Sequence, residues 1–216
     1  PFALLLLAPL LAPASAQPGG LDTTFGNDGL ALGETPSLAR DLVQDLDARI
    51  VFVGARSQAG VPDEPLVGRL LPDGTPDPSF DSGGLQAFPL PCRYPARTIL
   101  EAVALTPDRH IVAAGATGCR SGTVVRLTER GSPAAAFAAD GVFTYRPDSG
   151  TRSSSLFGLD VAQDGTIVAV GREQRRETTG EERTHLLVIR LTPSGQEGRG
   201  QPVEVTLAEP QPEPAA

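Results

Sequence analysis

Short apolar stretches alternate along the chain with clusters of glycine, proline and aspartate, and no stretch keeps a helical period over a useful length. One apolar string, Ile-Val-x-x-Gly, occurs at residues 50–54, 111–115 and 167–171. Strings of this length and β-branched content are typical of strands. Their glycines lie 61 and then 56 residues apart, so the chain is built on a repeat of about sixty residues.

Each copy of the repeat predicts four antiparallel strands. A turn-rich segment with one phenylalanine, here named the Phe turn, precedes a short apolar first strand. A second strand runs into a tight turn that carries an aspartate (Asp47, Asp108 or Asp164), the Ile-Val-x-x-Gly string is the third strand, and an Arg-Leu pair marks the fourth. The Phe turns are residues 21–29, 76–84 and 134–141; the first strands are 30–32, 85–88 and 142–145; the fourth strands are 66–71, 124–128 and 186–192. Four short strands with turns at close spacing are typical of one blade of a β-propeller.

Three residue types recur at one position of every copy: the phenylalanine of the Phe turn, the glycine that ends the apolar string, and the arginine of the Arg-Leu pair. They are Phe25, Phe80 and Phe137; Gly54, Gly115 and Gly171; and Arg69, Arg126 and Arg190. A residue repeated in this way is expected to do the same structural work each time. The arginines are expected to bridge carbonyls or carboxylates between blades, and a ring of ligand-binding arginines around a channel is the alternative.

The Phe-turn pattern Leu-Asp-x-Thr-Phe-Gly-x-Asp-Gly, the string Ile-Val-x-x-Gly and the closure Arg-Leu-x-Pro-x-Gly together resemble the delta-60 repeat over residues 21–195. The resemblance implies a β-propeller of bacterial secreted or surface proteins, without an established activity. The third Phe turn lacks the Leu-Asp-x-Thr start. In the second copy Arg109 and His110 replace the usual turn residues, which we interpret as drift in tolerant turns.

The predicted fold is therefore all-β and β-propeller-like, with three four-stranded blades. The repeats fill residues 17–207, with blades over about 21–76, 77–133 and 134–195 and a closing strand at 203–207. Because propellers usually have about four to eight blades, three blades predict a partial propeller or an open arc, which self-association would complete. The Pro- and Glu-rich residues 208–216 are predicted to be a disordered tail.

The first residues predict export. An apolar run over residues 2–11 is followed by Ala14-Ser15-Ala16, so residues 1–16 are interpreted as a signal peptide, too short to span a membrane. A secreted, periplasmic or cell-surface location in a bacterium is expected. In such a location Cys92 and Cys119 favour a disulfide, with two free buried thiols as the alternative.

Charge and motifs exclude several functions. The net charge of −8 argues against nucleic acid as a partner. The two histidines, His110 and His185, belong to no catalytic motif, and no phosphate loop or zinc signature is present, so we expect no enzyme, no metal and no cofactor. Asp73, Asp77 and Asp81 are expected to form turns and not to bind calcium.

The most variable segment, residues 172–185, is the candidate binding loop, with Arg172, Arg175, Arg176 and Arg183 interspersed with glutamates. Variable loops on a rigid scaffold often bind ligands, but this mixed charge favours a solvated hairpin tip. The expected function is an exported, non-catalytic binding or scaffold module with a protein or glycan partner. The alternatives are a propeller enzyme that acts on a glycan through paired carboxylates, and a structural spacer in a larger surface protein.

Overall fold

The computed structural model describes residues 19–33, 37–58, 61–81, 83–87, 98–118, 120–145 and 151–197. The predicted signal peptide, Cys92 and Cys119, the closing strand at 203–207 and the tail at 208–216 lie outside the described residues. No helix that could cross a membrane occurs in the part of the chain that the structure describes.

Eleven strands among these residues form three antiparallel sheets, which confirms the all-β, propeller-like prediction. The first sheet contains β1 (Ser37–Gln44), β2 (Ile50–Gln58), β3 (Val61–Leu70) and β4 (Leu85–Ala87); the second contains β5 (Ile99–Leu105), β6 (Ile111–Ala116), β7 (Gly122–Leu127) and β8 (Val142–Thr144); the third contains β9 (Thr151–Val161), β10 (Ile167–Arg176) and β11 (Glu182–Leu191). Each sheet is a meander in which strands that follow one another along the chain are neighbours.

The grouping of strands differs from the prediction at the short strand after each Phe turn. The stretches at 85–88 and 142–145 were predicted to open the second and third copies, but β4 and β8 are the outermost strands of the sheets before them. Val67 pairs with Gln86, and Val124 with Phe143. The Phe turn reverses the chain beside the strand that it has just left, and pairing across so short a connection costs little loop-closure entropy.

The predicted strand at 30–32 does not form. Leu30 makes only isolated bridges to Gly26 and Asn27, because no described strand precedes this Phe turn for it to pair with. The third sheet correspondingly has three strands among the described residues, where four were predicted.

The three sheets stack in chain order and bury two apolar cores. The first strands of successive sheets contact each other, β1 against β5 and β5 against β9. The core between the first and second sheets contains Val51, Val53, Val67, Phe80, Leu100, Val103, Ile111, Ala113, Val125 and Leu127. The core between the second and third sheets contains Val112, Ala114, Val124, Ala134, Phe137, Leu156, Ile167, Ala169, Leu187, Ile189 and Leu191. The described sheets therefore form an open arc.

The glycine of the Ile-Val-x-x-Gly string is required by a bulge in the strand beside it. The pairing register shifts opposite this glycine in all three sheets, and Arg40, Glu101 and Phe157 are the extra residues. A Cβ atom on Gly54, Gly115 or Gly171 would lie 1.9–2.0 Å from a carbonyl oxygen of the bulged strand. No side chain fits there, so glycine is kept in every copy.

The bulge argument predicts that Gly171→Ala destabilises the protein by about 3 kcal/mol, because the new Cβ meets the backbone oxygen of Ser155 and one strand must move. Urea unfolding followed by circular dichroism measures the change. Gly158→Ala is the matched control in the paired strand, where the new Cβ meets only a methyl group of half-exposed Val170, at 3.2 Å. The control is expected to change stability by no more than about 0.5 kcal/mol. Equal effects of the two substitutions would contradict the argument.

Candidate functional site

The turns that follow β3, β7 and β11, at residues 71–75, 128–132 and 192–196, each contain a glycine and are named closing turns here. The phenylalanine of each Phe turn packs under the glycine of a closing turn. The Phe80 ring lies against Gly131 and the Phe137 ring against Gly195; both rings are buried, and both glycines have positive φ. The backbone N–H of Asp81 donates to the carbonyl of Arg130 at 2.9 Å. Phe25 makes the same packing contact with Gly74 of the first sheet. The Phe turns that follow β3 and β7 therefore fasten their own sheet to the next one.

Arg69 reinforces this fastening between the first and second sheets. Its guanidinium is buried, lies 4.8 Å from the centroid of the Phe80 ring, and donates from Nε to Asp77 at 2.8 Å. Its Nη1 donates to the backbone carbonyl of Glu129 in the second sheet. The guanidinium nitrogens of this buried arginine thus all donate to groups of the protein, since Nη2 also donates to the Ser79 hydroxyl.

Arg126 repeats the same bridge one sheet further along. It donates to the carbonyl of Pro193 in the third sheet at 2.6 Å and to the Asp108 carboxylate at 2.8 Å. Arg190, at the equivalent position of the third sheet, is exposed.

A cavity of about 130 Å³ opens where the turns of the first two sheets meet. Its apolar wall is formed by Val51, Leu105 and Ile111, and its charged wall includes Arg49 and Glu129. The β1–β2 turn, the β5–β6 turn and the closing turn after β7 all contribute, so the cavity exists only because the two sheets pack together. Arg69 lines it as well, which joins the cavity to the bridge between the sheets.

The charged residues of the cavity neutralise one another. Arg49 donates to Asp45 at 2.7 Å and to Glu129 at 2.8 Å, and it lies 3.1 Å from the Asp47 carboxylate. Arg109 of the second sheet lies 3.1 Å from Glu129 of the same sheet and reaches across to the Asp47 carboxylate of the first sheet. The cluster therefore ties the turns of the two sheets together by charge as well as by packing.

The arginines keep the carboxyl groups of this cluster ionised. The hydrogen bond from Arg49, and then the charges of Arg109 and Arg49, lower the pKa of Glu129. Burial alone would raise the pKa of Asp45, but its bonds to the Arg49 side chain and backbone outweigh burial and lower it. Carboxylates held in this way bind cations and donors well and are poor proton donors at neutral pH.

Sequence reasoning missed this cluster. It took Arg109 as drift in a tolerant turn, whereas the structure places that residue in the charged wall. The signal lay in comparison of the copies: at the turn positions of Asp45 and Arg49 the third copy has Ala162 and Thr166, so the repeat itself requires no charge there. Arg109 also holds a positive φ of 64°, where the third copy has Gly165.

The predicted binding loop is mostly strand. β10 and β11 pair as far as Arg176 and Glu182, which leaves a turn of residues 177–181. Arg175 is paired with the buried carboxylate of Glu173 at 2.5 Å, and Arg183 with Glu181 at 3.2 Å. Arg172 lies over the Phe157 ring, 5.5 Å from its centroid, and Arg176 donates to the carbonyl of Gly180. The four arginines do not converge on one site.

Glu173 is buried among donors. The Tyr145 hydroxyl lies 3.1 Å from it and the Thr151 hydroxyl also donates to it. Burial would raise the pKa of Glu173, but the bonds from Arg175 and Thr151 outweigh burial and lower it.

The histidines and the acidic turns are used locally. His110 lies 3.0 Å from the Asp108 carboxylate, and His185 lies 3.0 Å from Glu177. Asp73 accepts from the backbone N–H of Thr75, as turn-forming aspartates do. Asp81 has a positive φ of 40° in its Phe turn. Among the described residues no group of His, Cys, Asp and Glu side chains is arranged to hold a metal ion.

One family model describes part of the chain as a β-propeller. Residues 47–80 match the model of a family described as a domain of unknown function (DUF5122) beta-propeller. No protein with a curated description matches the chain. A crystal structure of a catalytically inactive virginiamycin B lyase from Staphylococcus aureus, with quinupristin, aligns at 13% identity with a TM-score of 0.39. The alignment covers 77% of this chain, and this chain spans only 56% of the lyase.

The Arg69–Asp77 pair predicts a specific pH dependence of stability. Burial would raise the pKa of Asp77, but hydrogen bonds from Ser79 and the charge of Arg69 outweigh it and hold the pKa below its usual range. A carboxyl group whose pKa falls on folding stabilises the protein above its unfolded value, about 3.9, and loses that contribution as the pH falls further. Asp77→Asn is therefore expected to cost about 3 kcal/mol at pH 7, because Arg69 stays buried without its counter-charge. The difference from the wild type should shrink below pH ~4.

Urea unfolding at a series of pH values from 7 down to 2 tests this expectation. The matched control is Asp140→Asn, at an exposed aspartate of the third Phe turn, which is expected to change stability by no more than about 0.5 kcal/mol throughout. A cost of Asp77→Asn that does not vary with pH would show that the ion pair is not its cause.

Proposed function

We propose that this chain is an exported, non-catalytic binding module of delta-60-type propeller blades, and that the cavity between the turns of its first two sheets binds one ring-sized group of a partner. The single observation that carries the proposal is this cavity, whose wall is apolar on one side and charged on the other. Small-molecule sites combine such apolar lining with a few polar groups that fix orientation.

The size of the cavity favours part of a ligand over a whole one. At about 130 Å³ it falls below the ~300 Å³ at which pockets for whole small molecules begin, and it is close to the ~150 Å³ that holds one benzene ring. A sugar ring or an aromatic side chain of a larger partner has this volume. The rim residue Leu46, 93% exposed, adds apolar surface at the mouth.

The charges favour binding over catalysis. A glycan-cleaving enzyme needs one carboxyl group that stays protonated near neutral pH and a second that is ionised. Asp45 and Glu129 both have a lowered pKa and both are paired with arginine. Ionised, hydrogen-bonded carboxylates and guanidinium groups are suited to holding hydroxyl or amide groups by charge-assisted hydrogen bonds.

Amide-detected NMR titration of the full chain with a panel of monosaccharides and aromatic amino-acid amides tests the binding proposal. Shift changes are expected to centre on Leu46, Thr106 and Arg109 and to saturate in the millimolar range, as befits ligands of about a dozen atoms. Arg109→Gln should weaken that binding about tenfold, the effect of one charged hydrogen bond. Arg152→Gln is the matched control, a half-exposed arginine paired with Glu182 on the third sheet.

The same spectra separate the competing functions. Conversion of a ligand into products would establish the enzyme. Shift changes scattered over the surface, or none with any member of the panel, would contradict the cavity as a binding site and favour the spacer.

Export is tested on the full chain expressed in a Gram-negative host. The protein is expected in the periplasmic fraction with Gln17 as its first residue, because signal peptidase reads the small residues Ala14 and Ala16. Ala16→Lys should abolish cleavage, since lysine does not fit where a small residue is read. Gly20→Ser, beyond the cleavage site, should leave cleavage unchanged. A cytoplasmic protein that keeps residues 1–16 would contradict export.

A further inference from the structure

The two ends of the arc expose apolar surface that the interior of the arc buries. We call the side of each sheet that faces the following sheet its trailing face, and the opposite side its leading face. Val67 of the first sheet and Val124 of the second lie on trailing faces and are fully buried. Val188, at the same position of the third sheet, is 49% exposed. Among the described residues, no sheet covers the trailing face of the third sheet as the trailing faces of the first two sheets are covered.

The surrounding positions repeat this contrast. Val53 and Ala114 are fully buried on the trailing faces of the first two sheets, whereas the equivalent Val170 is 41% exposed. Exposed Leu186 and Phe157 extend the patch. Val170 and Val188 are paired directly across β10 and β11, so the exposed residues adjoin one another, and exposed apolar patches mark interaction sites.

A hydrogen-bond donor accompanies the patch. Arg69 and Arg126 each donate to a carbonyl in the closing turn of the next sheet, the carbonyls of Glu129 and Pro193. Arg190 stands at the same position on the third sheet and is exposed. In the first sheet the residue equivalent to Glu129 and Pro193 is Pro72, which is also exposed.

The first sheet, at the other end of the arc, has a complementary exposed surface. The Phe turn at residues 21–29 docks on the first sheet, just as the Phe turns after β3 and β7 dock on the second and third sheets. The backbone N–H of Gly26 donates to the carbonyl of Asp73 at 2.6 Å. The segment after a Phe turn is the outermost strand of the preceding sheet in β4 and β8. The equivalent residues 30–32 pair with no strand among the described residues, and Leu30 and Leu32 are 51% and 88% exposed. Leu42, on the leading face itself, is 62% exposed.

We propose that the third sheet of one copy of this chain binds the first sheet of a second copy, head to tail, in the same geometry that joins successive sheets within the chain. Residues 30–32 of the second copy then add a fourth strand to β11. The registers of β3 with β4 and of β7 with β8 place Ala31 of the second copy opposite Val188, and Arg190 donates to the carbonyl of the second copy's Pro72. The contact uses two different surfaces, so two copies close a ring when both contacts form.

Cysteine cross-linking tests the register directly. Ala31→Cys combined with Val188→Cys is expected to give an intermolecular disulfide under mild oxidation, because directly opposed residues of paired strands have Cβ atoms roughly 4.5–5.5 Å apart and a disulfide needs about 3.5–4.5 Å. Ala31→Cys combined with Leu186→Cys is the matched control, two residues out of register and about 7–8 Å apart. Equal cross-linking of both pairs, or of neither, would overturn the proposed strand addition.

Light scattering coupled to size exclusion tests the association itself. The wild type is expected at twice the mass of one chain, and Val188→Glu at the mass of one chain with an unchanged circular dichroism spectrum. Leu46→Glu, at an exposed leucine off both faces, should keep the dimer. Arg190→Gln should weaken association about tenfold. A wild type that stays monomeric at tens of micromolar would overturn the proposal, without bearing on ligand binding in the cavity.

Discussion

The structure depends on the contact that fastens each sheet to the next. The phenylalanine of a Phe turn lies under a closing-turn glycine, and an arginine beside it reaches the carbonyls of the same turn. Phe80 and Arg69 are both buried at this contact and stack on each other. Each face of a blade is buried only when another sheet packs against it. A single blade without neighbours therefore has too little core to be stable alone. The contact joins residues between 51 (Phe80 and Gly131) and 67 (Arg126 and Pro193) positions apart, and so holds successive sheets together.

The bulge opposite each string-final glycine works within this frame. It places an extra residue in the first strand of each sheet, and those strands are the ones that meet from sheet to sheet. Arg40 and Glu101, the bulge residues of the first two sheets, form an ion pair at 3.4 Å. In the third sheet the same position is Phe157, which instead packs with Arg172. The bulge is thus present in all three sheets, while the side chain of its extra residue varies.

The turns between the first and second strands of each sheet show the same division. Asp45, Thr106 and Ala162 each donate a backbone N–H to the carbonyl that closes their turn, so the backbone of the three turns is alike. Only the first two turns carry the charges that form the cavity wall. A repeat protein gains a site in this way, by changing side chains at positions where the fold asks only for a turn. The charges of the cavity thus differ between copies, while the backbone of the turns stays the same.

Much of the fold could be predicted from the sequence, because the relevant signals are local. Apolar alternation, turn residues and the recurrence of Phe25, Gly115 or Arg126 at fixed phase each report on a few neighbouring residues. The boundaries between blades could not be predicted from such local signals. A repeat reads identically from any starting point, and only the pairing of β4 with β3 shows to which sheet the strand after a Phe turn belongs.

The candidate site could not be predicted from the sequence. The arginines of residues 172–185 stood out in the sequence because they are close together along the chain, yet hydrogen bonding along β10 and β11 separates them. Arg49, Arg109 and Glu129 lie up to 80 residues apart and meet because two sheets stack. The sequence by itself determined the repeat, the strand content and the positions where only glycine fits, since these follow from backbone sterics and local periodicity. Tertiary structure alone decided which charges share a cavity and which apolar faces stay uncovered, since both depend on how the sheets pack against each other.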